Sequence, residues 1–157
     1  MFRRRRREVR ADLSAEEAEL LRGLIREYLQ LLDAADDGPN PVRARLFPRA
    51  SLEDDQVDRE YQEMAGSELD RHKRRTAAVA LASLGEEGGR QGTLADEERD
   101  AWLVLLTDLR LALGVRLGVT EETLERPPDP RNPEQAPMLV LAYLTALQES
   151  LVRAAMR

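Results

Sequence analysis

The sequence predicts an all-α fold: a single-domain helical bundle around one central buried helix. Several segments repeat apolar residues with a helical period, breaks rich in Gly and Pro separate them, and one segment is apolar on nearly every face. A chain of 157 residues has the length of one domain with a single core. We expect residues 14–157 to form that domain and residues 1–13 to form a flexible basic arm, with a short strand at residues 8–13 considered as the end of the arm.

The composition narrows the classes of function. The net charge is −6, 34% of residues are charged, and cysteine is absent from the sequence. Disulfides, thiol catalysis and Cys-ligated zinc are therefore excluded within these residues. Phosphate-loop, dinucleotide-binding and metalloprotease motifs are also missing from the sequence. We expect no catalytic residue, no cofactor, no metal site and no enzymatic activity.

The sequence contains a single histidine, His72, which lies one helical turn after Glu68. Such a pair can bind a metal or move a proton. The other interpretation is a structural or solvent-edge histidine, which we favour because the sequence supplies no clear further ligand.

Targeting signals are also missing. The Arg-rich start is not followed by the apolar segment of a signal peptide, and no long apolar window is free of charge. We therefore expect a cytoplasmic protein that does not bind membranes.

The first helix is predicted over residues 15–35. Ser14 and Glu17 have the spacing of a capping box, and acidic residues favour the positive end of the helix dipole. The Gly- and Pro-containing segment 36–41 ends the helix. The apolar stripe of this helix consists of Leu20, Leu21, Leu24, Tyr28, Leu31 and Leu32.

The next segments predict a short helical turn over 42–47 and a longer helix over 54–84. The longer helix has only a weak apolar stripe, and Gly66 allows a bend within it. After a Gly-rich turn at 85–92, the pattern at Leu94–Glu98 repeats that at Leu13–Glu17. Two extended segments that enter two helices in this way can pair, so a small two-stranded β ribbon stays an alternative to a purely helical fold.

The central helix is predicted over residues 97–119. Apolar residues occupy opposite faces of this segment, which is typical of a helix that is buried all round. Three charged residues interrupt the pattern, and burying them without partners is costly. One face carries Trp102, Leu105, Leu106, Leu109, Ala112 and Leu113, the opposite face carries Val104, Leu111 and Val115, and the charges are Asp108, Arg110 and Arg116.

The final helix is predicted over 134–156, after a turn at 120–124 and a Pro-rich loop. Gln148 falls within its apolar stripe, and Arg116 falls on the apolar face of the central helix. We expect a structural polar network of Asp108, Arg110, Arg116 and Gln148. A functional polar pocket between the two helices is the alternative, and an Arg whose head reaches the protein edge is another.

Two basic clusters are candidate nucleic-acid contacts, because guanidinium and ammonium groups bind phosphates. Neither cluster is interleaved with aromatic residues, so a solvated helix face and a disordered tail are the competing interpretations. The residues are Arg3, Arg4, Arg5, Arg6 and Arg7 in the first cluster, and Arg71, Lys73, Arg74 and Arg75 in the second.

A resemblance to a known family extends over nearly the whole chain. Its specific part is the central segments 102–103, 107–114 and 116–122, and further matches are at 17–32, 45–48, 143–145 and 147–152. They resemble an actinobacterial family of helical proteins of unknown function. The family is similar to proteins encoded beside the proteolytic adaptor ClpS and a cysteine-synthesis cluster, and an AosR-like role in regulating the oxidative-stress response has been proposed for this type. The resemblance implies regulation linked to sulfur or redox metabolism, or an accessory role in Clp proteolysis.

Together these observations predict a non-enzymatic regulatory or adaptor protein that acts through protein contacts, with a protein partner or as a homo-oligomer. The alternative is a transcription regulator that contacts DNA through the two basic clusters. A regulator that senses oxidation by forming a disulfide needs two cysteines, and this sequence contains none. Sensing of oxidation would then belong to a partner.

Overall fold

The computed structural model describes residues 1–33, 40–49 and 53–156. Most of these residues are helical, and the rest of the regular structure is a small antiparallel sheet. The strands are β1 (Phe2–Arg5), β2 (Glu8–Leu13) and β3 (Arg90–Thr93). The helices are α1 (Ala15–Asp33), α2 (Pro41–Leu46), α3 (Asp55–Tyr61), α4 (Ser67–Leu84), α5 (Asp96–Arg116), α6 (Glu121–Leu124) and α7 (Ala136–Ala155).

The sheet corrects the all-α prediction. Its strand order is β1-β2-β3, with both pairs antiparallel. The ribbon considered from the sequence exists as β2 and β3, which lead into α1 and α5, and β1 adds a third strand. The fold is therefore mostly helical but not purely so.

Residues 1–13 contain two strands where the sequence predicted a flexible arm, and the short strand considered at residues 8–13 is confirmed as β2. The first two strands make a hairpin whose turn places Arg6 at a positive φ of 58°. The alternation of a strand directs Phe2 into the core, where its ring centroid lies 5.9 Å from that of Trp102. The Phe2 N–H donates to Ser150 Oγ at 3.1 Å, so helix α7 covers this edge of the sheet. A single buried aromatic ring thus anchors an otherwise basic strand.

Helix α1 begins with the predicted capping box. The Glu17 N–H donates to Ser14 Oγ at 3.1 Å, and the Ser14 N–H donates to Glu17 Oε2 at 2.8 Å. The helix is described as far as Asp33, so its predicted last residues and the break at 36–39 lie outside the described residues.

The predicted apolar stripe of α1 is confirmed except at one position. Leu20 is exposed, whereas Arg22 is only 1% exposed. The Arg22 guanidinium donates to the carbonyls of Leu84, Gly85 and Gly88 at 2.6–3.2 Å. A buried guanidinium is stable there because it satisfies the free carbonyls at the end of α4.

The helix predicted over residues 54–84 is interrupted near Gly66, where a bend was expected. Residues Gln62–Gly66 form a π-helical turn between α3 and α4. Such turns insert one extra residue into a helix and are frequent at functional sites.

Helix α5 lies at the centre of the fold but is not buried all round. It packs against α1, α2, α4 and α7, and its face with Trp102, Leu105 and Leu106 is buried. On the opposite face Val104 is 40% exposed and Leu111 is 36% exposed. The prediction of complete burial was wrong because the neighbouring helices leave one side of α5 open.

We predict that Phe2→Ala strongly destabilises the protein, because it removes the ring that holds β1 on the core. Truncation of a buried Phe costs about 3–5 kcal/mol of the free energy of unfolding. Urea denaturation measures this loss, with the exposed Arg5→Ala on the same strand as the control. Equal stability of the two variants would mean that β1 does not anchor the fold.

Candidate interaction surfaces

The charge of Asp108 is buried and has two partners. Its Oδ2 atom accepts hydrogen bonds from Lys73 Nζ at 2.8 Å and from the Tyr28 hydroxyl at 2.7 Å. All three side chains are buried, and they belong to α5, α4 and α1. This buried triad joins the three helices through one carboxylate.

Membership of the triad raises the pKa of Tyr28 and keeps Lys73 inside the protein. Burial, and then the hydrogen bond to Asp108, raise the pKa of the Tyr28 hydroxyl well above its ordinary value. Lys73 Nζ also lies 5.8 Å from the ring centre of Phe47. Lys73 is therefore an internal residue and cannot contact phosphate as the sequence suggested.

The other members of the second basic cluster do not form one continuous surface. Arg74 pairs with Asp70 at 2.7 Å and with Asp33, and hydrogen bonds to these two carboxylates raise its pKa. Arg71 and Arg75 are exposed. Two guanidinium groups of the cluster thus reach solvent, while the other two cations are held in ion pairs.

His72 is exposed on α4. Among the described residues, no group of three His, Cys, Asp or Glu side chains is placed to hold a metal ion. The Glu68 and His72 pair considered from the sequence therefore has no third ligand in the part of the chain that the structure describes.

The first basic cluster divides between two sides of the hairpin. Arg3 and Arg5 lie on the outer face of the sheet, where Arg3 is paired in register with Arg10 of β2. Arg4 points to the other side, and its guanidinium donates to the carbonyl of Ala154 at 3.3 Å. Arg6 and Arg7 form the exposed turn.

The outer face of the sheet thus carries three arginines and two acids, and Arg3 forms an ion pair of 3.9 Å with Asp12. The Gln91 amide donates to Asp12 Oδ1 at 2.7 Å, and the Thr93 hydroxyl donates to Glu8 Oε2 at 3.0 Å. Sequence reasoning missed Arg10 and Gln91 as members of this face, because only the pairing of β2 with its neighbours places them there.

The predicted polar network divides into separate sets of contacts. Arg110 donates to the Thr145 hydroxyl at 3.1 Å and to the Gln148 carbonyl oxygen. The Gln148 amide donates to the Thr107 hydroxyl at 2.7 Å. These contacts tie α5 to α7 and do not include Asp108.

Arg116 does not join the predicted polar network, and its head group reaches the protein edge, as in the alternative considered from the sequence. Its side chain is 63% exposed and forms an ion pair of 3.5 Å with Glu27 of α1. The helical period placed Arg116 on an apolar face, but the last turn of α5 has left the core. An exposed pair of this kind contributes little to stability.

An apolar groove lies between α6, the following loop and α7. It encloses about 350 Å³. Leu124 is 64% exposed at one wall, and Arg126 and Glu149 supply charges among the lining residues. The groove residues are Thr123, Leu124, Arg126, Pro127, Pro128, Met138, Leu141, Ala142, Thr145, Ala146 and Glu149.

Helix α7, together with the turn before it, is unusually apolar. The segment Pro133–Ala155 is long and apolar enough to cross a membrane, a property that core helices of soluble proteins also have. Only 28% of its most apolar window is buried, although Leu144, Leu147 and Leu151 are in the core. Most of its other apolar residues are partly buried and Val152 is 37% exposed, so part of the apolar surface of this helix faces outward.

We predict that Asp108→Ala destabilises the protein by about 3–5 kcal/mol, because it leaves the Lys73 ammonium buried without a counter-charge. The double variant Lys73→Met, Asp108→Leu should recover much of that loss. Urea denaturation compares these variants with Arg116→Ala, which should cost about 1 kcal/mol or less. A similar cost for Asp108→Ala and Arg116→Ala would contradict the role of the triad.

We also predict a loss of stability at alkaline pH. The folded protein raises the pKa of Tyr28 above that of an unfolded tyrosine, about 10. This contribution is complete below about pH 10 and is lost as the pH rises above it. The free energy of unfolding should fall less steeply in Tyr28→Phe than in the parent protein. Identical slopes above about pH 10 would contradict this prediction.

The comparisons with known proteins agree with the sequence resemblance. The model of a domain of unknown function, DUF2017, matches residues 1–155. Proteins named "Oxidative stress regulator AosR" from Mycobacterium tuberculosis and Mycobacterium bovis are 30% identical over 176 residues, which covers 91% of this chain and 80% of each relative. Comparison with solved structures finds no match. The resemblance expected from the sequence is confirmed: this chain belongs to the DUF2017 family and is similar to the mycobacterial AosR regulators.

Proposed function

We propose that this protein is a non-enzymatic regulator that acts by binding another protein in the apolar groove of α6 and α7. The observation that carries the proposal is Leu124, a large apolar side chain that is mostly exposed beside a concave apolar floor. Surfaces of this kind are typical of protein contact sites.

The occupant that fits best is an amphipathic helix of a partner protein. The floor follows α7 from Met138 to Glu149, about 17 Å at the rise of an α-helix, which corresponds to about three turns of a bound helix. Arg126 and Glu149 supply opposite charges. A partner helix with an acid near Arg126 and a base near Glu149 would be complementary to the groove.

The names of the relatives support a regulatory role. A disulfide-based sensor is not available to these residues because they include no cysteine, so we assign the sensing of oxidation to the partner. A link to sulfur metabolism or to Clp proteolysis, and a location in the cytoplasm, are further parts of this hypothesis.

We predict that Leu124→Asp abolishes binding of the partner without unfolding the protein. A photo-crosslinker at Ala142, on the groove floor, identifies the partner in cells, and titration of the purified pair then measures the affinity. Val57→Asp is the matched control, because Val57 is also an exposed apolar residue but lies on α3.

The proposal requires loss of affinity in Leu124→Asp and unchanged affinity in Val57→Asp. Equal affinities would place the contact elsewhere. A crosslink from Ala142 to a second copy of this chain would overturn the choice of occupant.

A second candidate function is contact with DNA through the outer face of the sheet. The observation that favours it is the hairpin, which places Arg3, Arg5 and Arg10 on one exposed face next to the turn residues Arg6 and Arg7. Some DNA-binding proteins place a two-stranded ribbon or a sheet in a groove of the DNA. The net charge of −6 opposes this function, so we rank it below protein binding.

If DNA binds to this face, replacing Arg5, Arg6 and Arg7 by Gln should weaken binding at low salt. The salt dependence of log K should also become shallower by about 0.9 for each phosphate contact that is lost. Fluorescence anisotropy with duplex DNA measures both quantities. The control is Arg26→Gln with Arg45→Gln, two exposed arginines that lie on helices outside the sheet and outside both basic clusters. An equal effect in the control would indicate nonspecific attraction.

A further inference from the structure

A second concave region lies where α1 ends, beside α2 and the start of α4. It encloses about 660 Å³, which is within the usual range for small-molecule sites. The elements that line it differ from those that line the apolar groove. The side chains that matter for its chemistry are those of Asp33, Arg43, Phe47, Gln62, Ser67, Asp70, Arg71 and Arg74.

Three arginines line this cleft, and they are not equivalent. Arg74 is held by Asp70 and Asp33. Arg43 donates to the Leu32 carbonyl at 3.3 Å, and Arg71 donates to the Ser67 carbonyl at 3.4 Å. Among the described residues, neither Arg43 nor Arg71 forms an ion pair. Both therefore keep donors that an anionic ligand can use.

The position of Arg43 is determined by packing. Its guanidinium carbon lies 4.6 Å from the centre of the Phe47 ring, an attractive arrangement for a cation. Lys73 lies 5.8 Å from the same ring centre. A stacked guanidinium loses less conformational freedom when it binds a ligand, so the cleft is partly organised in advance.

The π-helical turn brings polar groups to the same place. Gln62, Gly66 and Ser67, at the two ends of the turn and at the start of α4, all line the cleft. A regular helix would direct these residues differently, because the turn adds a residue to the register. The amide of Gln62 and the hydroxyl of Ser67 are suitable hydrogen-bond partners for a polar ligand.

We propose that this cleft binds a small phosphorylated metabolite. The phosphate would accept hydrogen bonds from Arg43 and Arg71, since planar guanidinium groups bind phosphate with two donors at once. The carboxylates of Asp33 and Asp70, already neutralised by Arg74, would accept hydrogen bonds from sugar hydroxyls. The cleft thus favours a phosphorylated sugar or nucleotide over a simple anion.

Isothermal titration calorimetry with ribose 5-phosphate and with AMP tests this proposal, with ribose, adenosine and inorganic phosphate as comparison ligands. We expect both phosphorylated ligands to bind more tightly than the compounds without phosphate and than inorganic phosphate. Replacing Arg43 and Arg71 by Gln should reduce their affinity by at least about tenfold.

The matched control is Arg45→Gln with Arg75→Gln. These arginines are exposed on the same two helices, but they do not line the cleft. Circular dichroism and thermal unfolding establish that each variant is folded. No binding at millimolar ligand, equal binding of ribose and ribose 5-phosphate, or the same loss in both double variants would overturn the proposal.

Discussion

The fold depends most on the buried carboxylate of Asp108. A charge inside a protein is costly unless it is paired and hydrogen-bonded, and here one oxygen accepts from both Lys73 and Tyr28. The three residues come from α5, α4 and α1, so the requirement for partners fixes how these helices lie against one another. Apolar packing alone allows helices to slide by a turn, whereas this contact is satisfied in one arrangement.

A similar constraint operates at the other end of α4. Arg22 of α1 is buried, and its guanidinium satisfies the carbonyls of Leu84, Gly85 and Gly88. The glycines here form the turn that leads to β3, and Gly85 adopts a positive φ of 73° that glycine accommodates without strain. Helix α1 is thus joined to α4 at both ends by buried cations and their acceptors, and the loop between α4 and the sheet is held in place.

The surfaces left open by this arrangement suggest how the protein works. The apolar side of α7 and the exposed Leu124 form a groove that suits a partner helix, while the cleft beside Phe47 has the arginines that suit a phosphate. The two regions are formed by different elements. Lys73 contacts the Phe47 ring from the core side, so the cleft and the buried triad share one aromatic residue.

Local sequence signals predicted the helices well because they act over short distances. The capping box at Ser14, the break at Gly85 and the helical period of α5 are all interactions within a few residues of the chain. The family was also recognisable, since the segment around Trp102 is distinctive.

What only the tertiary structure decided was the partner of each charge and the exposure of each helix face. The helical period placed Arg116 inward, but the end of α5 reaches solvent. The role of Phe2 as the anchor of β1 was not predicted, because Phe2 stands beside a run of arginines. Its ring contacts Trp102, which lies 100 positions away in the sequence. Sequence by itself determined which segments are helical and which family they belong to. The tertiary structure determined where charges are buried, because desolvation depends on neighbours that are distant in the chain.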